Sequence, residues 1–348
     1  MTTEPSKRAT ARQVADLAGV SPTTVSFVLN DVKGANISPA TQERVRAAAE
    51  SLGYAPSAAA RSLVSGKTKT VGLVVGHAEH LLVDVFIPQL LFGLNQVARK
   101  RGYRVLIEAI EDVHRSDAYT ELVHARHIDG LVLLNPRSDD QGLGALLSSD
   151  FPTVTLGKIP GFDTYRVYTN DRVGMRLIAA HLAEIGHTKV GHVTFSPRLF
   201  FATEGRLKGM RQGLADHGLE LPDSLIEEGN YSAESGYHAA NRLLDRHPDL
   251  TAIACGNDTV AIGVLLAVQE RGLRVPDDVA VAGYDDIPTA RWMTPPLTTV
   301  RSDAVASGKR SMGMLADLME GRTPAERHVR LNETLLVRRS TVADATMD

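Results

Sequence analysis

The chain has 348 residues, of which 43% are hydrophobic and 23% are charged, and its formal net charge is −3. This length and apolar content are enough for one small domain plus a larger two-lobed domain. The single cysteine, Cys255, excludes an intrachain disulfide and any metal site built from several cysteines. No apolar run reaches the roughly 20 residues of a membrane span, and the first residues lack the apolar core of a signal peptide. We therefore expect a soluble cytoplasmic protein with no membrane partner.

Charge is distributed unevenly along the chain. Residues 1–70 carry nine Lys and Arg against five Asp and Glu, which makes this segment +4 and the remainder −7. A basic head on an acidic body indicates a polyanionic partner for the head alone. A solvated helical face with a surplus of cations is the alternative interpretation.

The head is predicted to form three short helices. The first covers about 11–18 and ends at Gly19, a residue type typical of a left-handed helix cap. Ser21-Pro22 and Ser38-Pro39 each place a capping serine before a proline, which predicts the starts of the next two helices. Two helices joined by a tight turn indicate a helix-turn-helix unit, whose second helix enters a DNA major groove. A small helical bundle without a DNA role is the alternative.

The second helix supplies most of the candidate DNA contacts. Its hydroxyls suit phosphates or base edges, and its aromatic ring suits a thymine methyl group. The candidate DNA-binding residues of the head are Arg12, Ser21, Pro22, Thr23, Thr24, Ser26, Phe27 and Asn30.

From residue 70 onward, apolar strand-like runs alternate with amphipathic helical segments. The runs are VGLVV, YRVLIEA, GLVLL, KVGHVTF, TAIAC and DVAVAGY. Continuous apolar strands alternating with helices predict parallel sheets covered on both faces. The series is too long for one sheet, so we expect two α/β lobes with a ligand in the cleft at the carboxyl ends of the strands.

Polar and aromatic side chains that follow these strands are candidate effector contacts. Asn257 follows TAIAC and Asp285 follows VAVAGY, while His77 and Phe86 lie beyond VGLVV and Asn135 follows GLVLL. An amide and a carboxylate can bind the hydroxyls of a sugar. The alternatives are a helix cap for Asn257, a turn former for Asp285 and a solvated loop for the others.

Several classes of protein lack support in the sequence. There is no GxGxxG after a strand, no GxxxxGK[ST] and no GxSxG. Because no nucleophile–base pair and no zinc-ligand spacing is present, we predict no catalytic residues, no metal site and no cofactor.

The head and body together resemble a known family. The strings RQVADLAGVSPTTVSFVLN and ISPATQERVRAAAESLGYAPSAAARSL closely resemble the DNA-binding head of the LacI/GalR repressors. HIDGLVLL, HLAEIGHTKVGHV, EGRLKGM, GNDTVAIG, DVAVAGYDD and TPPLTTV carry the resemblance through the body. The implied fold is a small all-α helix-turn-helix domain followed by a two-lobed α/β domain of the type I periplasmic-binding-protein-like class.

The resemblance implies boundaries for these parts. The head would cover 1–56, the hinge 57–69 and the effector-binding and dimerisation domain 70–348. Within that domain, one lobe would hold about 70–168 and 299–327, and the other about 169–298 and 328–342.

In the hinge, the resemblance implies a short helix that orders on DNA, with Leu63 wedged into the minor groove and Ala60 among its contacts. By its composition alone the segment is a plain linker. Phe27 departs from the family, which usually has an arginine there to read guanine. We expect either a changed base preference or packing of Phe27 against the sugar-phosphate backbone.

In the body, the resemblance implies that Arg206 grips the effector and that Tyr231 stacks on it. The alternatives are a surface salt bridge and a core position. Gly157 stands where the family commonly has an acid, so either Lys158 replaces that acid or the effector is not a typical neutral hexose.

The function implied is that of a transcriptional regulator. We expect a homodimeric repressor that binds a pseudo-palindromic double-stranded operator and responds to a small molecule, a sugar or sugar derivative. A plain solute-binding protein would lack the head, and a sugar-modifying enzyme would need turnover of a ligand in the cleft.

Overall fold

The computed structural model describes residues 9–30, 34–55, 66–110, 112 and 114–345. The chain divides into two compact units, Met1–Lys69 and Thr70–Asp348, which we describe separately. Within the described ranges, no helix has the length and apolar character needed to cross a bilayer. Nor do the described side chains form a cluster of three or more His, Cys, Asp or Glu that could hold a metal ion.

The head unit contains helices at the three predicted places: α1 (Ala11–Ala18), α2 (Pro22–Leu29) and α3 (Pro39–Ser51). Ser21 Oγ accepts a hydrogen bond from the Thr24 N–H at 3.1 Å, and Ser38 Oγ caps α3 in the same way. Gly19 follows α1 with a φ of 65°, a conformation that favours glycine. The predicted helix starts and the stop at Gly19 are therefore confirmed.

The core of the head is small and built from short side chains. It contains Val14, Ala15, Ala18, Val25, Val28, Val45, Ala48 and Ala49. Leu17 shares a helical spacing with Val14 but is 59% exposed, because Val14, Ala15 and Ala18 define the inner face of α1. The three helices thus pack closely while one face of α2 stays open to solvent.

The first lobe of the second unit is built on a parallel sheet. Its strands up to residue 168 are β1 (Thr70–Val75), β2 (Arg104–Ala109), β3 (Gly130–Leu134), β4 (Thr153–Leu156) and β5 (Tyr165–Tyr168), and a later strand, β11 (His328–Arg330), joins them. The strand order is β11-β5-β4-β3-β1-β2. The helices are α4 (His80–Val83), α5 (Phe86–Lys100), α6 (Ala118–His124) and α7 (Leu143–Leu147).

The second lobe has a four-stranded parallel sheet in the order β7-β6-β8-β9. Its strands are β6 (Val190–Thr194), β7 (Ile226–Glu228), β8 (Ala252–Cys255) and β9 (Ala280–Ala282). Its helices are α8 (Asp171–Glu184), α9 (Phe201–Ala215), α10 (Ala233–Arg246) and α11 (Asp258–Glu270). Strands β6, β8 and β9 are fully buried, as expected for apolar strands covered on both faces.

The last part of the chain crosses between the lobes more often than predicted. It forms β10 (Thr299–Arg301), α12 (Ala304–Met319), β11 (His328–Arg330) and β12 (Thr334–Leu336). Helix α12 packs against α5 of the first lobe, and β11 then pairs with β5 in the first sheet. The prediction that residues from 328 onward belong to the second lobe is therefore wrong for β11, because this strand completes the edge of the first sheet. Only afterwards does β12 pair antiparallel with β10.

Candidate functional site

The head presents the first turn of α2 to solvent. Ser21, Pro22 and Thr23 are exposed there, as is Arg12 on α1. The Ser21 and Thr24 hydroxyls lie 2.9 Å apart and hydrogen-bond to each other, so both side chains are held against the helix start. This arrangement leaves a rigid, polar helix N-terminus, a geometry that suits phosphate contacts and base edges.

The rest of the outward face of α2 is less free than the sequence predicts. The Asn30 side-chain amide donates to the Ser26 carbonyl at 2.8 Å and to its hydroxyl at 3.2 Å. These two half-buried residues are therefore hydrogen-bonded to each other, while Asn30 Oδ1 accepts no hydrogen bond from the described residues. Phe27 is 37% exposed, so its ring is available on this face. The predicted hinge contacts Ala60 and Leu63 lie outside the described residues.

In the second unit, apolar and polar side chains from both lobes line a partly open cavity of about 100 Å³ at the carboxyl ends of the strands. Six of the seven predicted effector residues line it: Phe86, Asn135, Arg206, Tyr231, Asn257 and Asp285. The seventh, His77, does not. Its ring packs on His80 with centroids 5.6 Å apart, and His80 lines the cavity instead.

Arg206 is the centre of the polar network. Its Nε donates to Asp171 Oδ1 at 3.0 Å, one terminal nitrogen donates to the Gly256 carbonyl at 2.5 Å, and the other to Asp285 Oδ1 at 3.2 Å. The guanidinium carbon also lies 3.9 Å from the ring centroid of Tyr284. Burial opposes the charge of Arg206, but the two carboxylates outweigh burial and raise the pKa of the guanidinium. Arg206 is therefore a charged side chain already held by the protein.

All three carboxyl groups in the cavity, those of Asp84, Asp171 and Asp285, have raised pKa values, and burial is the largest cause for each. Burial raises the pKa of Asp285 to about 7, against the lowering effect of Arg206, and the charges of Asp84 and Asp171 raise it further. Burial likewise raises the pKa of Asp84 to about 6, opposed by its hydrogen bond from the Phe86 N–H and by the charge of Arg206. The cavity thus concentrates negative charge around one guanidinium.

Contacts between the lobes close one side of the cavity. Asn135 of the first lobe donates through Nδ2 to the Tyr231 hydroxyl of the second at 2.9 Å. The rings of His80 and Tyr231 stack with centroids 3.7 Å apart. Burial, together with the charge of His77, lowers the pKa of His80 to about 4, so this imidazole is neutral at pH 7. The two lobes are therefore joined by aromatic and amide contacts at the cavity wall.

Asn257 serves the fold as well as the cavity. Its Oδ1 accepts from the Val260 N–H at 2.9 Å and caps α11, which is the alternative that its position predicted. Only the remaining hydrogen-bonding capacity of this side chain can serve a ligand.

A larger outer cavity of about 570 Å³ adjoins the inner one. The two share Asn135, Leu156, Gly157, Tyr168, Thr169, Asp171 and Ala202 among their lining residues. Lys158 lines only the outer cavity, so it does not place a charge at the inner position that Gly157 leaves without a side chain.

Comparison with known proteins relates both units to one family. The family described as "Bacterial regulatory proteins, lacI family" matches residues 10–57, and the "Periplasmic binding protein-like domain" matches residues 179–341. The HTH-type transcriptional repressor PurR of Photobacterium profundum is 32% identical over 335 residues, covering 95% of this chain and 98% of PurR. The chain belongs to the LacI family of bacterial regulatory proteins.

Other members of the LacI family support this assignment at full length. The HTH-type transcriptional regulator CelR of Thermobifida fusca is 32% identical over 96% of this chain and 98% of CelR. The structure of a CelR–cellobiose complex aligns over 96% of this chain and 100% of its own, with a TM-score of 0.73 and 31% identity. The lac repressor dimer bound to operator and the anti-inducer ONPF aligns over 96% and 99%, with a TM-score of 0.82 and 28% identity. These relatives are transcriptional regulators, and the predicted family and fold class are confirmed.

Two acids in the cleft of this LacI-family chain were missed at the sequence level. Asp84 lies in HLLVDVF between α4 and α5, and Asp171 is the first residue of α8. One signal for Asp84 is that it is the only acid within an apolar segment. The signal for Asp171 is that it follows β5 closely, as Asp285 follows β9. Neither signal shows that the two side chains share a cavity with Arg206, since that depends on how the strands are ordered in space.

Proposed function

We propose that this LacI-family chain is a transcriptional repressor whose affinity for its operator is controlled by a small molecule bound between the two lobes. The cavity at the lobe junction, which combines apolar walls with a few charged and amide side chains, carries the proposal. It is lined from both lobes, so a ligand that enters it changes contacts on each side. A ligand shifts an equilibrium only through such differential contacts.

The DNA-binding part of the proposal places the start of α2 in a major groove. Arg12, Ser21, Pro22, Thr23 and Thr24 would position the helix through phosphates and base edges, with Ser26, Phe27 and Asn30 following along the same face. Ala60 and Leu63 would contact the minor groove. The exposure of the first turn of α2 supports the first assignment, and the sequence resemblance supports the second.

The effector would be a small polar molecule, a carbohydrate or carbohydrate derivative. Arg206, Asn257 and Asp285 supply hydrogen bonds, and Phe86 and Tyr231 supply aromatic surface against the less polar face of a sugar ring. The inner cavity of about 100 Å³ has room for only about three water molecules at roughly 30 Å³ each. A monosaccharide would therefore have to separate the lobes or extend into the outer cavity.

We also propose that the protein acts in the cytoplasm as a homodimer on a pseudo-palindromic operator. Apolar side chains on the second unit support dimerisation, since Phe92 is 58% exposed, Leu266 is 49% exposed and Ile262 is 38% exposed. Exposed apolar surface of this kind marks protein interfaces when it is contiguous. The expected result in sedimentation is a particle with twice the mass of the chain.

Selection of bound sequences from a random DNA pool tests the proposal. We expect the full-length protein to enrich a pseudo-palindrome with a flexible pyrimidine–purine step at its centre. Without enrichment over the starting pool at physiological salt, the proposed repressor function is wrong.

A pair of head variants tests the contact face. Phe27→Arg is expected to shift one position of each half-site toward guanine, because arginine can pair with both guanine acceptors. Ala47→Arg adds the same charge at an exposed position of α3 and serves as the control. It is expected to leave the selected motif unchanged. A motif that Phe27→Arg also leaves unchanged would mean that residue 27 does not face the bases.

A further inference from the structure

We propose that the inner cavity takes a ligand whose buried end carries a protonated nitrogen, such as an alkylammonium group. This inference rests on the proposal that the cleft is the effector site, and it names the chemistry of the part of the ligand that reaches the inner cavity. It follows from the charges in the cavity, from the hydrogen-bonding atoms left open there and from the aromatic wall.

The charged groups of the inner cavity do not balance. Its lining contains three carboxyl groups, those of Asp84, Asp171 and Asp285, and one guanidinium, that of Arg206. Asp171 and Asp285 pair with Arg206, whereas the described residues give Asp84 no ion-pair partner. A cation entering this cavity replaces part of the lost hydration of the acids, whereas an anion adds to their repulsion.

Each of the three carboxyl groups leaves an acceptor open in the cavity. Asp84 Oδ1 accepts from the Phe86 N–H at 3.0 Å, while Asp171 and Asp285 each use Oδ1 to accept from Arg206. The second oxygen of each of these carboxyl groups accepts no hydrogen bond from any described residue. An ammonium group has three N–H donors and no acceptor, which matches a set of open carboxylate oxygens.

Arg206 is poorly placed to recruit an anion instead. All three of its nitrogens donate to protein acceptors, and its planar group lies over Phe195 and Tyr284 at 4.4 and 3.9 Å from the ring centroids. Three of its five N–H groups are thus used, so an anion could reach only two terminal N–H groups unless it displaced these contacts.

An aromatic wall completes the environment for a cation. His80, Phe86, Tyr168, Phe195 and Tyr231 all line the inner cavity. Aromatic faces attract ammonium groups, and the attraction grows as water is removed. The lowered pKa of His80 keeps this ring neutral, so it does not oppose a cation. Burial raises the pKa values of Asp84 and Asp285, and the charge of Arg206 offsets this only in part.

The size of the cavity sets what can be buried. About 100 Å³ admits an ammonium group on a short carbon chain, and a larger remainder of the ligand would extend past Gly157 into the outer cavity. Gly157 has a φ of 101°, and a Cβ built on it would meet nothing within 4 Å, so the passage beside it is open.

Two small probes of matched shape test the inference. Ethanolammonium and ethylene glycol differ chiefly by an ammonium in place of a hydroxyl group, and both are small enough for the inner cavity. We expect the full-length wild-type protein to bind ethanolammonium in isothermal titration at matched ionic strength, with a dissociation constant at least about tenfold lower than that for ethylene glycol. A tenfold ratio corresponds to about 1.4 kcal/mol.

Asp84→Asn tests whether the preference for ethanolammonium over ethylene glycol depends on the Asp84 carboxylate. This change keeps the shape of the side chain and breaks no ion pair, so we expect the variant to fold and to lose most of the preference for ethanolammonium. Asp150→Asn removes an exposed acid outside both cavities and should retain the wild-type preference. Thermal unfolding of both variants verifies that each is folded at the titration temperature.

Three results would overturn the inference: no saturable binding of ethanolammonium by the wild-type protein up to 100 mM, equal or tighter binding of ethylene glycol, or an unchanged preference in folded Asp84→Asn. Because operator selection uses no ligand, its outcome does not depend on whether an ammonium group binds in the inner cavity. A protein that enriches an operator but shows no ammonium preference refutes only this inference, and the reverse result refutes only the repressor function.

Discussion

The raised pKa of Asp285 makes a quantitative prediction about stability. Burial raises this pKa to about 7 from an ordinary value of 3.8. The folded chain therefore holds a proton on Asp285 in a pH range where the unfolded chain has released it. By linkage, the contribution of Asp285 to the free energy of unfolding is greatest below pH 3.8, the pKa of this group in the unfolded chain. It is lost as the pH rises to about 7, at about 1.4 kcal/mol for each pH unit.

Asp285→Asn removes this dependence, because the amide resembles the protonated acid and does not titrate. Its oxygen can still accept from Arg206, which also keeps Asp171 as a partner. Between pH 5 and pH 8 we expect the free energy of unfolding of the wild type to fall relative to the variant by about 2.5 kcal/mol. Asp84 and Asp171 are present in both proteins, so the difference reports the titration of Asp285 together with its coupling to the neighbouring acids.

Urea unfolding at pH 5, 6, 7 and 8 without added ligand measures this difference. Far-ultraviolet circular dichroism follows the loss of the helices as the protein unfolds. Exposed Asp150→Asn serves as the control and should follow the wild-type curve. A difference between wild type and Asp285→Asn that stays constant from pH 5 to pH 8 would refute the argument, since it would mean that Asp285 is ionised throughout this range.

Three further outcomes are expected. Asn257→Ala should lower the free energy of unfolding by about 0.5–2 kcal/mol in urea titrations, because α11 loses its cap, whereas Asn257→Asp should retain most of it. Gly263→Ala should cost about 1–3 kcal/mol in thermal unfolding, since a Cβ there would press into the backbone of α10. Gly313→Ala on α12, where a Cβ meets nothing within 4 Å, should be neutral or stabilising. Ethanolammonium should bind more tightly as pH rises from 5 to 8 in isothermal titration, because Asp84 and Asp285 must release protons to receive it, and an unchanged affinity would contradict that coupling.

Local signals in the sequence determined the elements of the fold. Ser21-Pro22 and Ser38-Pro39 both start helices as predicted, because the capping bond and the fixed φ of proline act within one turn. Buried apolar runs likewise become parallel strands, and polar residues after them reach the cleft at the carboxyl edge of the sheet, as Asn135 and Asp285 do. Both kinds of prediction depend only on neighbours along the chain.

Tertiary structure decided how those residues are used. Arg206, predicted to grip a ligand, is held by Asp171, Asp285 and the Gly256 carbonyl, and His77 packs behind His80 instead of lining the cavity.

The placement of β11 and the gathering of the acids depend on more distant parts of the chain. His328–Arg330 joins the first sheet by pairing with β5, which lies about 160 residues earlier in the chain. A pairing over this distance leaves no local signal in the sequence. Asp84 reaches the cavity from the first lobe, whereas Asp171 and Asp285 reach it from the second. The sequence determines which side chains stand at the ends of strands and helices. Their charge balance is a property of the cavity, because it arises only when distant segments exclude water from the same space.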